Sequence, residues 1–112
     1  MNIQIFGKSK CFDTKKAERY FKERGIKFQR IDILDKSLSK GELNSVAAAL
    51  GLNSLFDMAS PLYKELNLDR IGGHELRAEI LLDHPKLFKT PIVRNGKQAT
   101  IGYCPEIWKT WV

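Results

Sequence analysis

Cys11 is the residue of this sequence best placed to do chemistry. It lies in Gly7-Lys8-Ser9-Lys10-Cys11-Phe12-Asp13-Thr14-Lys15-Lys16-Ala17, a lysine-rich stretch between alternating apolar residues (Ile3, Ile5) and a run with Ala17, Tyr20 and Phe21 at helical spacing. A cysteine in the first turn of a helix faces backbone N–H groups with no partner inside the helix, and it faces the positive end of the helix dipole. Both favour a thiolate over a thiol. Lys8, Lys10, Lys15 and Lys16 add positive charge, opposed within the stretch by Asp13 alone. Such surroundings lower a thiol pKa from about 8.5 toward neutrality and make the sulfur a nucleophile. The competing reading is a cysteine that serves as a small buried hydrophobe. Thr14 is expected to cap the helix with its hydroxyl, and Ser9 to offer a loop amide or hydroxyl to the sulfur.

Other constellations carry less. Cys11, Cys104, His74 and His84 share no metal-ligand spacing, so no metal site is expected. His84, before Pro85, reads as a helix-end residue, and His74, after Gly72-Gly73, as a solvated turn residue. Neither a Walker A motif nor G-x-G-x-x-G is present. A Cys-His-Asp hydrolytic set would need a histidine folded against Cys11, which spacing does not reveal.

The elements that must position Cys11 can be read in order. Residues 2–6 form a first strand, the helix after Cys11 runs to about Arg24 and stops at Gly25, and residues 26–33 form a second strand. This is a βαβ unit, with parallel pairing. A mostly helical segment, about 36–88, follows. Ser39-Lys40-Gly41-Glu42 has capping-box form with Leu38 and Leu43 as a hydrophobic staple, and Leu43, Val46, Ala47 and Leu50 continue it to Gly51. Ser60-Pro61 starts another helix with Tyr63 and Leu66, and Leu76, Ile80 and Leu81 mark the inner face of a third, ending before Pro85. Ile92 to Ile101 is a hairpin with Asn95-Gly96 as a type I′ turn. A short final helix brings Ile107, Trp108 and Trp111 to the sheet as packing residues.

The 112 residues suit a single domain, 1–112, with a real core. No apolar run approaches the roughly 18 residues of a membrane span, and no signal peptide is evident. Two distant cysteines do not make a secreted disulfide scaffold, so a cytoplasmic location is expected. The net charge of +6 admits a small anionic substrate, an acidic protein or nucleic acid. The missing aromatic-basic alternation, zinc finger and basic zipper argue against direct nucleic-acid binding.

The element order is α/β and thioredoxin-like (glutaredoxin-like), a mixed sheet with a helical insertion between the βαβ unit and the C-terminal β-hairpin plus helix. Four motifs, in order and spacing, resemble the arsenate reductase/Spx (ArsC) family: Cys11-Phe12-Asp13-Thr14-Lys15-Lys16-Ala17, Leu81-Leu82-Asp83-His84-Pro85-Lys86-Leu87, Lys89-Thr90-Pro91-Ile92-Val93, and Ile101-Gly102-Tyr103. The resemblance implies that Cys11 is the catalytic or redox-sensing thiol and that the Thr90–Pro91 bond is cis. It implies an anion or thiolate environment drawn from Lys8, Ser9, Lys10, Thr14, Lys15, Thr90, Pro91, Arg94 and Tyr103. It also implies no bound cofactor, with glutathione or glutaredoxin as electron donor, and glutaredoxin or thioredoxin as partner. Arsenate reductases of this family hold their tetrahedral anion with three arginines. The matching positions here are Thr90, Tyr103 and, in a loose alignment, Asp57, with Arg94 and Lys89 as nearby candidates. Spx-type regulators carry Cys-x-x-Cys where this chain has Cys11 and Thr14, and they act by binding the RNA polymerase alpha subunit. Two functions therefore stay open: a thiol-dependent oxidoreductase acting on an oxyanion or mixed disulfide, and a non-catalytic regulator. Cys104, after Gly102-Tyr103, is expected at the same end of the sheet as Cys11. There it is either a resolving thiol or a cysteine with no partner.

Overall fold

The computed structural model describes residues 2–111. Among them β1 (Ile3–Gly7), β2 (Phe28–Asp32), β3 (Ile92–Asn95) and β4 (Gln98–Ile101) form one sheet in the order β2-β1-β3-β4. β1 and β2 run parallel, joined by α1 (Phe12–Glu23), and β3 is antiparallel to both β1 and β4. Between β2 and β3 lie α2 (Lys40–Leu50), α3 (Pro61–Glu65) and α4 (His74–Asp83), and α5 (Pro105–Trp108) follows β4. This is the thioredoxin-like fold. No helix among the described residues is long and apolar enough to cross a membrane.

Alternation along the strands divides the core between the two faces of the sheet. Ile3, Ile5 and Val93 point to one face, where Ala17, Tyr20 and Phe21 of α1 and Trp108 of α5 cover them. Phe6 and Ile92 point to the other, where Leu43 and Val46 of α2, Tyr63 of α3 and Leu81 of α4 pack. Trp108 is fully buried and donates its indole N–H to Thr100 Oγ1 at 2.9 Å, which satisfies two polar groups inside an apolar layer. The long segment between β2 and β3 therefore builds one whole face, while α1 and α5 build the other.

Local chemistry explains most of the boundaries. Ser39 accepts from the Glu42 N–H at 3.1 Å, and the Glu42 carboxylate accepts from the Ser39 N–H at 2.8 Å. Leu38 and Leu43 are both buried in the same cluster, as a staple requires. Ser39→Ala is expected to cost about 1 kcal/mol of unfolding free energy, read as a lower urea midpoint at unchanged slope.

Two expectations are corrected. Asn95 pairs with Gln98, so the central turn residues are Gly96-Lys97, one position later than Asn95-Gly96. Of these, Gly96 has positive φ (60°) and Lys97 does not, the pattern of a II′ turn with glycine first rather than I′. Leu76 is half exposed instead of facing the core, because Leu81 and Ile80 supply the buried stripe of the short α4.

Candidate functional site

The site forms where three chain segments meet at one end of the sheet. β1 ends at Gly7, and a turn closed by the Cys11 N–H to Lys8 O bond (3.0 Å) delivers Cys11 as the N-cap of α1. Cys11 has the extended backbone of an N-cap (φ −87°, ψ 118°), and no side chain caps the helix. The second segment is the stretch before β3, in which the Thr90–Pro91 bond is cis. The Cys11 Sγ lies 3.5 Å from Thr90 O. The third is the loop after β4: the Gly102 N–H donates to Pro91 O at 2.8 Å and brings Tyr103 to the same end.

The thiol pKa of Cys11 is lowered. Burial alone would raise it. Hydrogen bonds from the Thr14 and Thr90 side chains and from the Thr14 and Asp13 amides outweigh burial and favour the thiolate. Thr14 is 2% exposed, and its Oγ1 has no hydrogen-bond partner among the described residues, so its proton is available to a Cys11 thiolate. The cap assigned to Thr14 is thus corrected. Cys11 itself holds the cap position, and Thr14, three residues on, turns inward beneath it. Gly7 makes room for this. A Cβ there would run into Thr14 Cγ2 and stand 2.7 Å from its Oγ1.

The lysines play a smaller part than their density implies. Lys10, Lys15 and Lys16 are exposed. Hydrogen bonds, and not these three ammonium groups, are the main causes that lower the pKa of the sulfur. Lys8 is half-buried and donates to Lys86 O (3.0 Å) and Phe88 O (2.9 Å). Burial lowers its pKa, against the opposing pull of Asp57 and of Cys11. Attraction between Lys8 and the thiolate acts on both partners, so Lys8 supports the sulfur behind the hydrogen bonds. Asp57 reaches Lys8 because Leu55–Asp57 pairs with Leu87–Lys89: Asp57 N–H to Leu87 O is 2.7 Å and Lys89 N–H to Leu55 O is 2.8 Å. The β2–β3 segment therefore places a carboxylate, not a guanidinium, next to the site.

Arg94 is not part of the site. The antiparallel register sets it opposite Gln4, three residues before Gly7 and so about 10 Å along the strand from the Cys11 loop. There its guanidinium donates to Gln4 Oε1 (2.8 Å) and Gly96 O (3.1 Å). Ser9 is exposed in the turn, and its side chain makes no hydrogen bond among the described residues. Cys104 does lie at the Cys11 end, as the N-cap of α5. Its thiol donates to Ile101 O at 3.2 Å and packs against the α1-side core, and both cysteines are free. Gly7 was legible as a residue type but not in its role, and Asp57 was legible only as a position in the alignment.

Comparison with known proteins gives a consistent picture. The sequence pattern of the ArsC family matches residues 6–111. The chain is 34% identical over 107 residues to the global transcriptional regulator Spx 2 of Oceanobacillus iheyensis, covering 92% of this chain and 78% of that protein. It is 31% identical over 110 residues to an arsenate reductase of Haemophilus influenzae, covering 95% of each. The solved arsenate reductase of Vibrio cholerae superposes with a TM-score of 0.89 at 29% identity, over all of this chain and 98% of that one.

Proposed function

The chain belongs to the ArsC family, and from that premise we propose that it is a thiol-dependent oxidoreductase whose nucleophile, Cys11, reduces glutathione mixed disulfides. The observation that carries this is the partly exposed Cys11 sulfur at the N-terminus of α1, 3.5 Å from Thr90 O beside the cis Thr90–Pro91 bond. The thiolate attacks the glutathione sulfur of the mixed disulfide. That S–S bond breaks, and the electron pair leaves on the substrate sulfur, which takes a proton from water. Cys11 is then bonded to glutathione. A second glutathione thiolate attacks that glutathione sulfur, releasing oxidised glutathione and regenerating the Cys11 thiolate. The net exchange consumes one free glutathione: the substrate thiol is released, and the glutathione it carried leaves joined to the second as oxidised glutathione.

Arsenate is the weaker substrate. No guanidinium is among the groups that lower the Cys11 pKa, Arg94 is engaged at the far end of β3, and the Lys8 ammonium donates to two backbone carbonyls. A tetrahedral anion is best held by the planar forks this site lacks. The cycle needs no second cysteine, because glutathione supplies the release step.

The test measures glutathione-dependent reduction of a small glutathione mixed disulfide and of arsenate side by side. Turnover of the disulfide exceeding that of arsenate is expected. Arsenate reduced as fast or faster would overturn the substrate choice. The second reading, a non-catalytic regulator, is favoured by the 34% identity to a protein named a global transcriptional regulator. Capture of the RNA polymerase alpha subunit, with no turnover of either substrate, would establish it instead.

A further inference from the structure

Phe12 stands beside the reactive sulfur and is 80% exposed, an unusual position for a phenylalanine. Lys16, one turn further along α1, shares its face, and the Lys16 ammonium lies 5.8 Å from the centroid of the Tyr103 ring. Tyr103 is 45% exposed and rests edge-on against the buried Trp108 at 5.6 Å. Its neighbour Gly102 is bonded to Pro91, and Thr90 is in contact with Sγ. These links run from Lys16 through Tyr103, Gly102, Pro91 and Thr90 back to Cys11. Phe12 and Tyr103 make the rim aromatic, and Lys10, Lys15 and Lys89, neighbours in sequence of Cys11, Lys16 and Thr90, are exposed. Asp13, the acidic residue of the Cys11 stretch, is already 4.0 Å from Lys16.

Small ligands are held in concavities. Phe12, at 80% exposure, stands out of the surface instead of lining one. A large aromatic side chain standing out of the surface beside a nucleophile serves instead as an anchor for a macromolecule. The surrounding positive charge selects an acidic partner and opposes a second copy of this +6 chain. Nucleic acid carries no disulfide for the sulfur to attack.

We propose that Cys11 acts on glutathione mixed disulfides carried by acidic proteins, which dock on the Phe12–Lys16–Tyr103 rim. This rests on the oxidoreductase reading above and names its substrate class. The chemical step is the one already written, with the protein's cysteine as the leaving thiolate.

Two probes separate the ideas: serum albumin glutathionylated on its free cysteine, and the mixed disulfide of glutathione with 2-mercaptoethanol. Wild-type protein should turn over the albumin disulfide with the higher kcat/KM. Added salt should slow the albumin reaction and leave the small one unchanged. The double variant Phe12→Ala/Lys16→Gln should lose about tenfold on albumin and less than about twofold on the small disulfide. Equal losses on both probes, or albumin no faster than the small disulfide in wild type, would overturn the docking inference and leave the catalytic reading standing. No turnover of either probe sinks both. Binding of a labelled single-stranded oligonucleotide that the double variant abolishes would assign the rim to nucleic acid and also overturn the inference.

Discussion

Cys11→Ser should reduce turnover of a glutathione mixed disulfide to background, a loss on the order of 10³-fold or more, while the unfolding midpoint near neutral pH barely moves. The sulfur is only partly buried, so its packing is of small consequence, and a serine hydroxyl does not ionise near neutral pH. The pH profile identifies the cause. The Cys11 pKa is lowered, so the rate should rise with pH and level off at a lower pH than the value of about 8.5 that a free cysteine would require. Thr14→Val keeps the volume and removes the hydroxyl. It should shift the curve to higher pH and slow the reaction several-fold at neutral pH, with the alkaline plateau retained. Thr14→Ser should restore the original curve. An unshifted curve in Thr14→Val would mean that the hydroxyl does not hold the thiolate. Linkage supplies a second readout. An acid whose pKa is lowered on folding adds stability that is fully present above the pKa of the unfolded thiol and is lost as pH falls through the folded pKa. Wild type should show that slope, and Cys11→Ser should lack it.

Gly7→Ala is the second large effect, and it acts on stability and chemistry together. The added Cβ would collide with the Thr14 side chain, which is itself fixed beneath the sulfur. Insertion into a close-packed site of this kind costs about 1–3 kcal/mol. The displaced hydroxyl should also move the activity profile to higher pH, as in Thr14→Val. A double-mutant cycle checks the mechanism. With Thr14→Ala in place, Gly7→Ala should cost much less, giving a coupling of about 1 kcal/mol or more in denaturant unfolding. Additive costs would show that the strain is relieved elsewhere and that Thr14 is not the obstacle.

What the sequence revealed and what it hid follows from the range over which each feature is determined. The Ser39–Glu42 box and the Leu38–Leu43 staple are made by residues a few positions apart, so their types were sufficient. The strand-to-helix delivery of Cys11 is local in the same sense. The site's electrostatics are not. Lysine density around Cys11 pointed to charge as the activating force, yet the hydrogen bonds arise from which way Thr14 turns and from Thr90, 79 residues distant in the chain. Arg94 was misplaced for a related reason. It is four residues from Thr90 in sequence, but β3 carries it away from the site, and only the pairing with β1 reveals how far. The hairpin slipped by one residue because Asn95-Gly96 and Gly96-Lys97 both satisfy a glycine turn, and the strand register decides between them.

The division of the core between the two faces of the sheet has a spectroscopic consequence. Both tryptophans, Trp108 and Trp111, belong to the α1 side, whereas α2, α3 and α4 lie on the other. Indole emission during denaturation therefore reports one layer, and far-ultraviolet circular dichroism draws much of its signal from the opposite one. Superimposable urea curves from the two probes would mean that the layers melt as a single cooperative unit. A gap between the curves would mean that the helices between β2 and β3 come loose while the scaffold holding Cys11 is still intact.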